Sequence, residues 1–197
     1  MMSDETWDAV LTEALGCGER LILDSSEFDS VCDHIVQLIQ DAVFLLRNGS
    51  AATAAFLAIT AVEETVKAHV GMFRRPSSPT TKRCKDALYQ HRHKHRLAAA
   101  QTVSIGHRLE AAIGDEELTT LLELARSGKL REIRESCLYF ERRAKELIVP
   151  MQALSSARAR SLILLAIELF DDQLVGYTNH SLDLSASVDV LFDELKA

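Results

Sequence analysis

Residues 51–73 read AATAAFLAITAVEETVKAHVGMF, and their spacing decides the fold class. Ala52, Ala55, Ile59, Val62, Val66, Val70 and Phe73 recur every three or four residues, the period of one helical face. Just before them RNGS, residues 47–50, stops one helix and leaves Ser50 to cap the next. A carboxylate interrupts the apolar face. Glu63 falls within the arc of Ile59, Val66 and Val70, whereas Glu64 falls nearly opposite. Lys67 follows Glu63 at i, i+4, the favourable order for a helix-edge ion pair.

Working outward, the upstream segment predicts a helix over about 27–47, with Phe28, Val31, Ile35, Leu38, Ala42 and Leu45 on its stripe and Ser26 as N-cap. Downstream, RRPSSPTT reads as a linker, and a third helix is expected from about Thr81 to Ile105. A short segment to Gly114 precedes helices over about 115–126 and 130–149, with Pro150 as a break. SSARARSLILLAIELFDDQLVGY starts a further helix at Ser155 or Ser156, and SASVDVLFDEL predicts a short terminal one. No strand alternation and no internal repeat is visible. These readings predict an all-α, up-and-down helical bundle forming a single domain over 1–197. Residues 1–25 are the least regular part, because GCG interrupts any helix there.

Composition bounds the function classes. The chain is 47% hydrophobic and 26% charged with eight Gly and three Pro, far from a disordered composition. AATAAFLAITAV and LILLAI fall short of the roughly 20 apolar residues that cross a bilayer, and MMSDETWDAV has no basic and apolar leader. A soluble, cytoplasmic protein without membrane association is therefore expected. The four cysteines are widely spaced and form no C-x-x-C, which argues against a disulfide framework and a cysteine zinc site.

Charge is segregated. The net charge is -7, yet residues 74–96 hold eight Lys or Arg and one acid, Asp86. Such a segment is the footprint expected of a phosphate or nucleic-acid surface, with Arg74, Arg75, Lys82, Lys85, Arg92 and Arg96 as its contacts. A solvated helix face would show the same pattern. On the expected third helix, Cys84, Leu88, His91, His95, Ala98, Thr102 and Ile105 share one arc, while His93 points the opposite way. Glu63, Lys67, His91 and His95 are thus expected to converge between neighbouring helices, either as partly buried polar residues or as a site. His91 and His95 at i, i+4 near Glu63 also suit zinc, but no H-E-x-x-H occurs and the positive neighbours oppose a cation. No phosphate-binding glycine loop is present either.

LAITAVEETVKAHVGMF, with Leu57, Glu63, Glu64 and Lys67, resembles the L-x(5)-EE-x-x-K helix of the abortive-infection AbiV family. HRHK, His91 to Lys94, is similar to that family's H-x-x-K, and LREIRESCLYFERR, with Leu138 and Tyr139, to its basic-then-LY segment. The resemblance covers roughly residues 28–178. It implies a HEPN-type helical bundle, a homodimer, and a cofactor-free, metal-independent endoribonuclease or a related defence protein. Arg83 precedes His91 with seven residues between them, further than the usual HEPN spacing of arginine and histidine.

Two functions follow as expectations. In the first, His91 is general base or acid, His95 or the His91 of a second copy protonates the leaving oxygen, and Lys94, Arg83 or Lys67 offsets charge on the phosphorane. In the second, Glu63, Glu64, Lys67, His91, Lys94 and Tyr139 form a supporting polar network in a non-catalytic module that binds a phage or host protein.

Overall fold

The computed structural model describes residues 11–196 apart from Glu13, Cys17, residues 76–81, Arg83, Cys84, residues 101–106 and Lys145. The expected roles of Arg83, and the placements of Cys84, Thr102 and Ile105, lie outside the described residues.

Helix α1 spans Ser25–Arg47 and α2 spans Ala51–Met72. Asp24 caps α1, its carboxylate accepting from the Glu27 N–H at 2.9 Å, so the helix starts earlier than the Ser26 reading expected. Of the predicted α2 stripe only Phe73, just past the helix, is exposed. Burial extends well beyond that stripe to Ala54, Ala58, Ala61, Thr65 and Ala68. Small side chains allow this, because they let α1 pack on one side of α2 and α8, Ser156–Leu174, on another. Every residue of α8 from Ser161 to Phe170 is buried, as expected of a helix apolar on all sides.

The expected 81–105 helix is corrected. Ala87–Tyr89 form a single 3₁₀ turn, Gln90 is extended at φ -107° and ψ 114°, and α3 runs only over His91–Ala100. A tertiary ion pair overrides the helical period here. Asp86 accepts from the Leu88 N–H at 2.9 Å and pairs with both terminal nitrogens of Arg74, one at 2.8 Å. Arg74 Nε donates to the Ala14 carbonyl at 2.7 Å, so one buried guanidinium ties the N-terminal segment, the end of α2 and the approach to α3. Gly18, at φ 84°, makes room for this pair: a Cβ there would lie 2.6 Å from Asp86 Oδ2 and 2.7 Å from Arg74. Gly18→Ala is expected to cost at least about 2 kcal/mol, from the left-handed backbone and the displaced pair together. An unchanged melting temperature would refute that account.

Beyond α3, α4 is His107–Ile113, α5 Asp115–Ser127 and α6 Leu130–Ser136. The predicted helix over 130–149 is also corrected. It ends at Ser136, and an antiparallel hairpin follows, β1 Glu141–Arg143 against β2 Glu146–Ile148, with Glu141 opposite Ile148. Tyr139, Phe140, Ile148 and Val149 favour extended backbone, and Val149 precedes a proline, which pushes it out of the α region to φ -104° and ψ 153°. Pro150 opens α7, Pro150–Ala153, at its first position rather than ending a helix. Ser155 caps α8 through the Arg158 N–H at 3.2 Å. The terminal helix α9 runs over Asn179–Lys196, longer than predicted, and packs on α1 and α8. Ser181 accepts from the Gly176 and Thr178 N–H groups and so organises the turn that starts α9 early. Among the described residues no helix is long and apolar enough to cross a membrane.

Candidate functional site

Where α3 and α6 meet α2, polar side chains gather on one carboxylate. Glu63 is 1% exposed. It accepts from His91 Nδ1 at 2.6 Å and His95 Nε2 at 2.7 Å, and Lys94 Nζ lies 3.0 Å away. The three donors share a face because His91, Lys94 and His95 stand at i, i+3 and i+4 on α3. Gln90, non-helical before them, lets the helix begin with its polar face already turned to α2. Glu64 sits beside this centre, accepting from Lys67 at 2.7 Å and lying 3.5 Å from Lys94. Lys67 therefore pairs at i, i+3 with Glu64, and not at i, i+4 with Glu63.

The electrostatics follow from burial. Desolvation pushes the Glu63 carboxyl up, but the His95 hydrogen bond, the Lys94 charge and His95 together outweigh it and hold the group at about 2, against an ordinary 4.5. Glu63 is an anion under all physiological conditions. Both imidazoles face it through an N–H, which fixes the proton-bearing nitrogen of each: Nδ1 in His91, Nε2 in His95. His95 is fully buried, with Nδ1 unpartnered among the described residues. The His91 side chain is 39% exposed, and its Nε2 is the nitrogen left to face outward.

Several expected contacts fall elsewhere. His95 and Lys94, expected among the catalytic groups, are buried and turned to Glu63, at 2.7 Å and 3.0 Å. Arg74, expected on a phosphate surface, is 1% exposed and consumed by Asp86 and Ala14. Tyr139, expected in the network, is an exposed side chain lining a groove of about 440 Å³ with Glu132, Glu135, Ser136 and Glu141, away from Glu63. His93 is half-buried rather than turned to solvent. Arg75, Lys82, Lys85 and Arg92 are exposed, and Arg96 leans across to the Arg126 carbonyl at 3.3 Å. The Arg92 side chain packs over Gly128, where a Cβ would meet its Cγ at 2.4 Å.

One residue of this centre was missed in the sequence. Arg134, on α6, brings Nε to 3.9 Å from Glu63 Oε1 and lays its guanidinium over the Phe56 ring at 4.5 Å. Leu130, Ile133, Arg134 and Cys137 stand at i, i+3, i+4 and i+7, so a cation on an otherwise apolar face was the available signal. Among the described residues no group of three or more His, Cys, Asp or Glu is arranged to hold a metal ion. A cation placed between the histidines would also have to displace the Lys94 ammonium.

An all-α bundle with a buried carboxylate gripping an H-x-x-K-H helix agrees with the HEPN-type helical class that the AbiV resemblance implies. The family model of AbiV, HEPN type, matches residues 28–171, and the chain belongs to this family of abortive-infection proteins. No curated protein matches the chain, and no solved structure does.

Proposed function

We propose that this AbiV-family protein acts in phage defence as a metal-independent endoribonuclease with His91 at its centre. The observation that carries the reading is a half-exposed imidazole whose Nδ1–H is held at 2.6 Å by a buried, permanently ionised carboxylate. That is the arrangement by which an acid orients a histidine and stabilises the imidazolium it becomes. Nε2 then takes the proton of a ribose 2′-hydroxyl as its oxygen attacks the adjacent phosphorus. The 5′-oxygen leaves with a proton from a second general acid, and the product is a 2′,3′-cyclic phosphate. With His95 buried, the His91 of a second copy in a homodimer is the candidate for that acid. Lys94 and His95 hold Glu63 in place, and the exposed cations Arg75, Lys82, Lys85 and Arg92 supply sequence-independent attraction for the RNA backbone.

His91→Ala is expected to lower cleavage of total RNA by roughly 10²- to 10⁴-fold, with EDTA without effect on the unsubstituted protein. Cyclic-phosphate ends that persist undiminished in the variant would sink the assignment.

A second reading has its own support. Lys94 and His95 are too buried to meet a substrate, and a closed network of this kind also fixes helix register in a module that works by binding a phage or host protein. Absence of cleavage by the unsubstituted protein, with its stability dependent on Glu63, would favour it.

A further inference from the structure

The centre around Glu63 carries more positive than negative charge. Two carboxylates, Glu63 and Glu64, face three permanent cations, Lys67, Lys94 and Arg134, before either histidine takes a proton. Lys94 and Lys67 spend their ammonium groups on these carboxylates. Arg134 does not. At 3.9 Å its Nε is beyond hydrogen-bond reach of Glu63, and this buried N–H has no hydrogen-bond partner among the described residues. Leaving a buried donor on a charged group unpaired is costly unless something completes it.

We propose that Arg134 and His91 form an anion seat that takes a phosphate oxyanion, with Arg134 as the binding residue for it. The guanidinium is already placed: its carbon lies over the Phe56 ring at 4.5 Å, and 21% of the side chain is exposed, so an incoming ligand meets a packed side chain rather than a free one. His91 opens to solvent from the same carboxylate, on the opposite oxygen of Glu63. The neighbouring groove cannot serve as this seat. Glu132, Glu135 and Glu141 line it, and Arg134, two residues on from Glu132, points roughly 200° around α6 from it. An anion held by Arg134 would therefore sit on the face of α6 turned to Glu63. A guanidinium and an imidazole addressing the two oxygens of one carboxylate offer a tetrahedral phosphate, either free or in a phosphodiester, two kinds of donor. Assigning the natural occupant as an RNA phosphate rests on the nuclease reading; the seat itself does not.

The test uses the full chain and two probes, inorganic phosphate and a labelled single-stranded RNA made uncleavable by 2′-O-methylation. Phosphate titration is expected to shift the Arg134 Nε–H resonance and to compete with the RNA for the protein. Arg134→Gln is expected to weaken RNA binding by roughly 10- to 100-fold and to reduce the salt dependence by about one phosphate contact, with Arg134→Lys restoring only part of the affinity. A resonance unmoved by phosphate, or a folded Arg134→Gln variant that binds as tightly as the unsubstituted chain, overturns the seat. Should Arg134→Gln fail to fold, the resonance of the unsubstituted chain still decides. Phosphate binding without RNA competition retains the seat and removes RNA as its occupant. RNA binding that depends on Arg134 in a protein that cuts nothing retains the seat and removes the nuclease reading.

Discussion

Arg74→Ala is expected to lower the unfolding free energy by about 3–5 kcal/mol, the scale of a buried ion pair broken from one side. The change leaves the Asp86 carboxyl, 3% exposed, without its guanidinium, with the Leu88 N–H as its remaining side-chain partner among the described residues, and strips the Ala14 carbonyl of the Arg74 donor. Both effects push the same way, because a buried charge and a buried acceptor are each expensive without partners. The companion variant separates the pair from its parts. Arg74→Met with Asp86→Leu removes both charges together and is expected to cost much less than the sum of the single changes. Urea unfolding of the four proteins gives the coupling directly, and additivity of the single variants would show that the pair does not act as a unit. The consequence for the site is also measurable: α3 begins where Asp86 and Gln90 place it, so loss of the pair is expected to loosen His91 before the bundle melts.

Glu63→Gln is the second large effect. It leaves the Lys94 ammonium, 6% exposed, facing a neutral amide, and is expected to cost roughly 3–5 kcal/mol at pH 7. It is also expected to change the shape of the pH dependence. Burial raises the Glu63 carboxyl while His95 and Lys94 lower it further, so its folded value of about 2 lies below the ordinary 4.5. A depressed carboxyl means that the unfolded chain binds the proton more readily. The stabilisation is therefore complete above pH 4.5 and drains away as pH falls towards 2, amounting to roughly 3 kcal/mol across the window. Urea midpoints taken from pH 7 down to pH 3 should fall more steeply for the unsubstituted protein than for Glu63→Gln. Parallel curves would mean that Glu63 contributes nothing to acid sensitivity. If the protein is a nuclease, the same variant loses the group that orients His91, and cleavage is expected to fall on the scale of His91→Ala.

The helical period made α2 legible, down to Glu63 as the one carboxylate on an apolar face. It also put His91 and His95 on a shared face, although that face starts at His91 and not ten residues earlier. Lys94 was readable too, since i, i+3, i+4 and i+7 from His91 include it with His95 and Ala98. It entered the reading instead through the H-x-x-K resemblance, because the charge of a lysine gives no sign of burial until its partner carboxylates are seen across the helix interface. Arg74 misled for the same reason, because its partner Asp86 stands twelve residues away across a linker, and only tertiary structure joins them. The hairpin was lost for another reason. Three-residue strands are too short to display an alternation, and LREIRES had already established a helical period that the reading carried too far.

The alanines of α2 carry a further consequence. Ala54, Ala55, Ala58 and Ala61 are fully buried on a helix clasped from two sides, so the distance between backbones is set with almost no side chain to cushion it. In such a seam an added methylene has no rotamer in which to hide, and a whole helix must shift instead. Glu63 rides on that helix, two residues beyond Ala61. The ruler that places the carboxylate against α3 is thus written in the smallest residues of the chain. Mutational tolerance should be lowest where there is least side chain to lose, at positions that touch no ion pair at all.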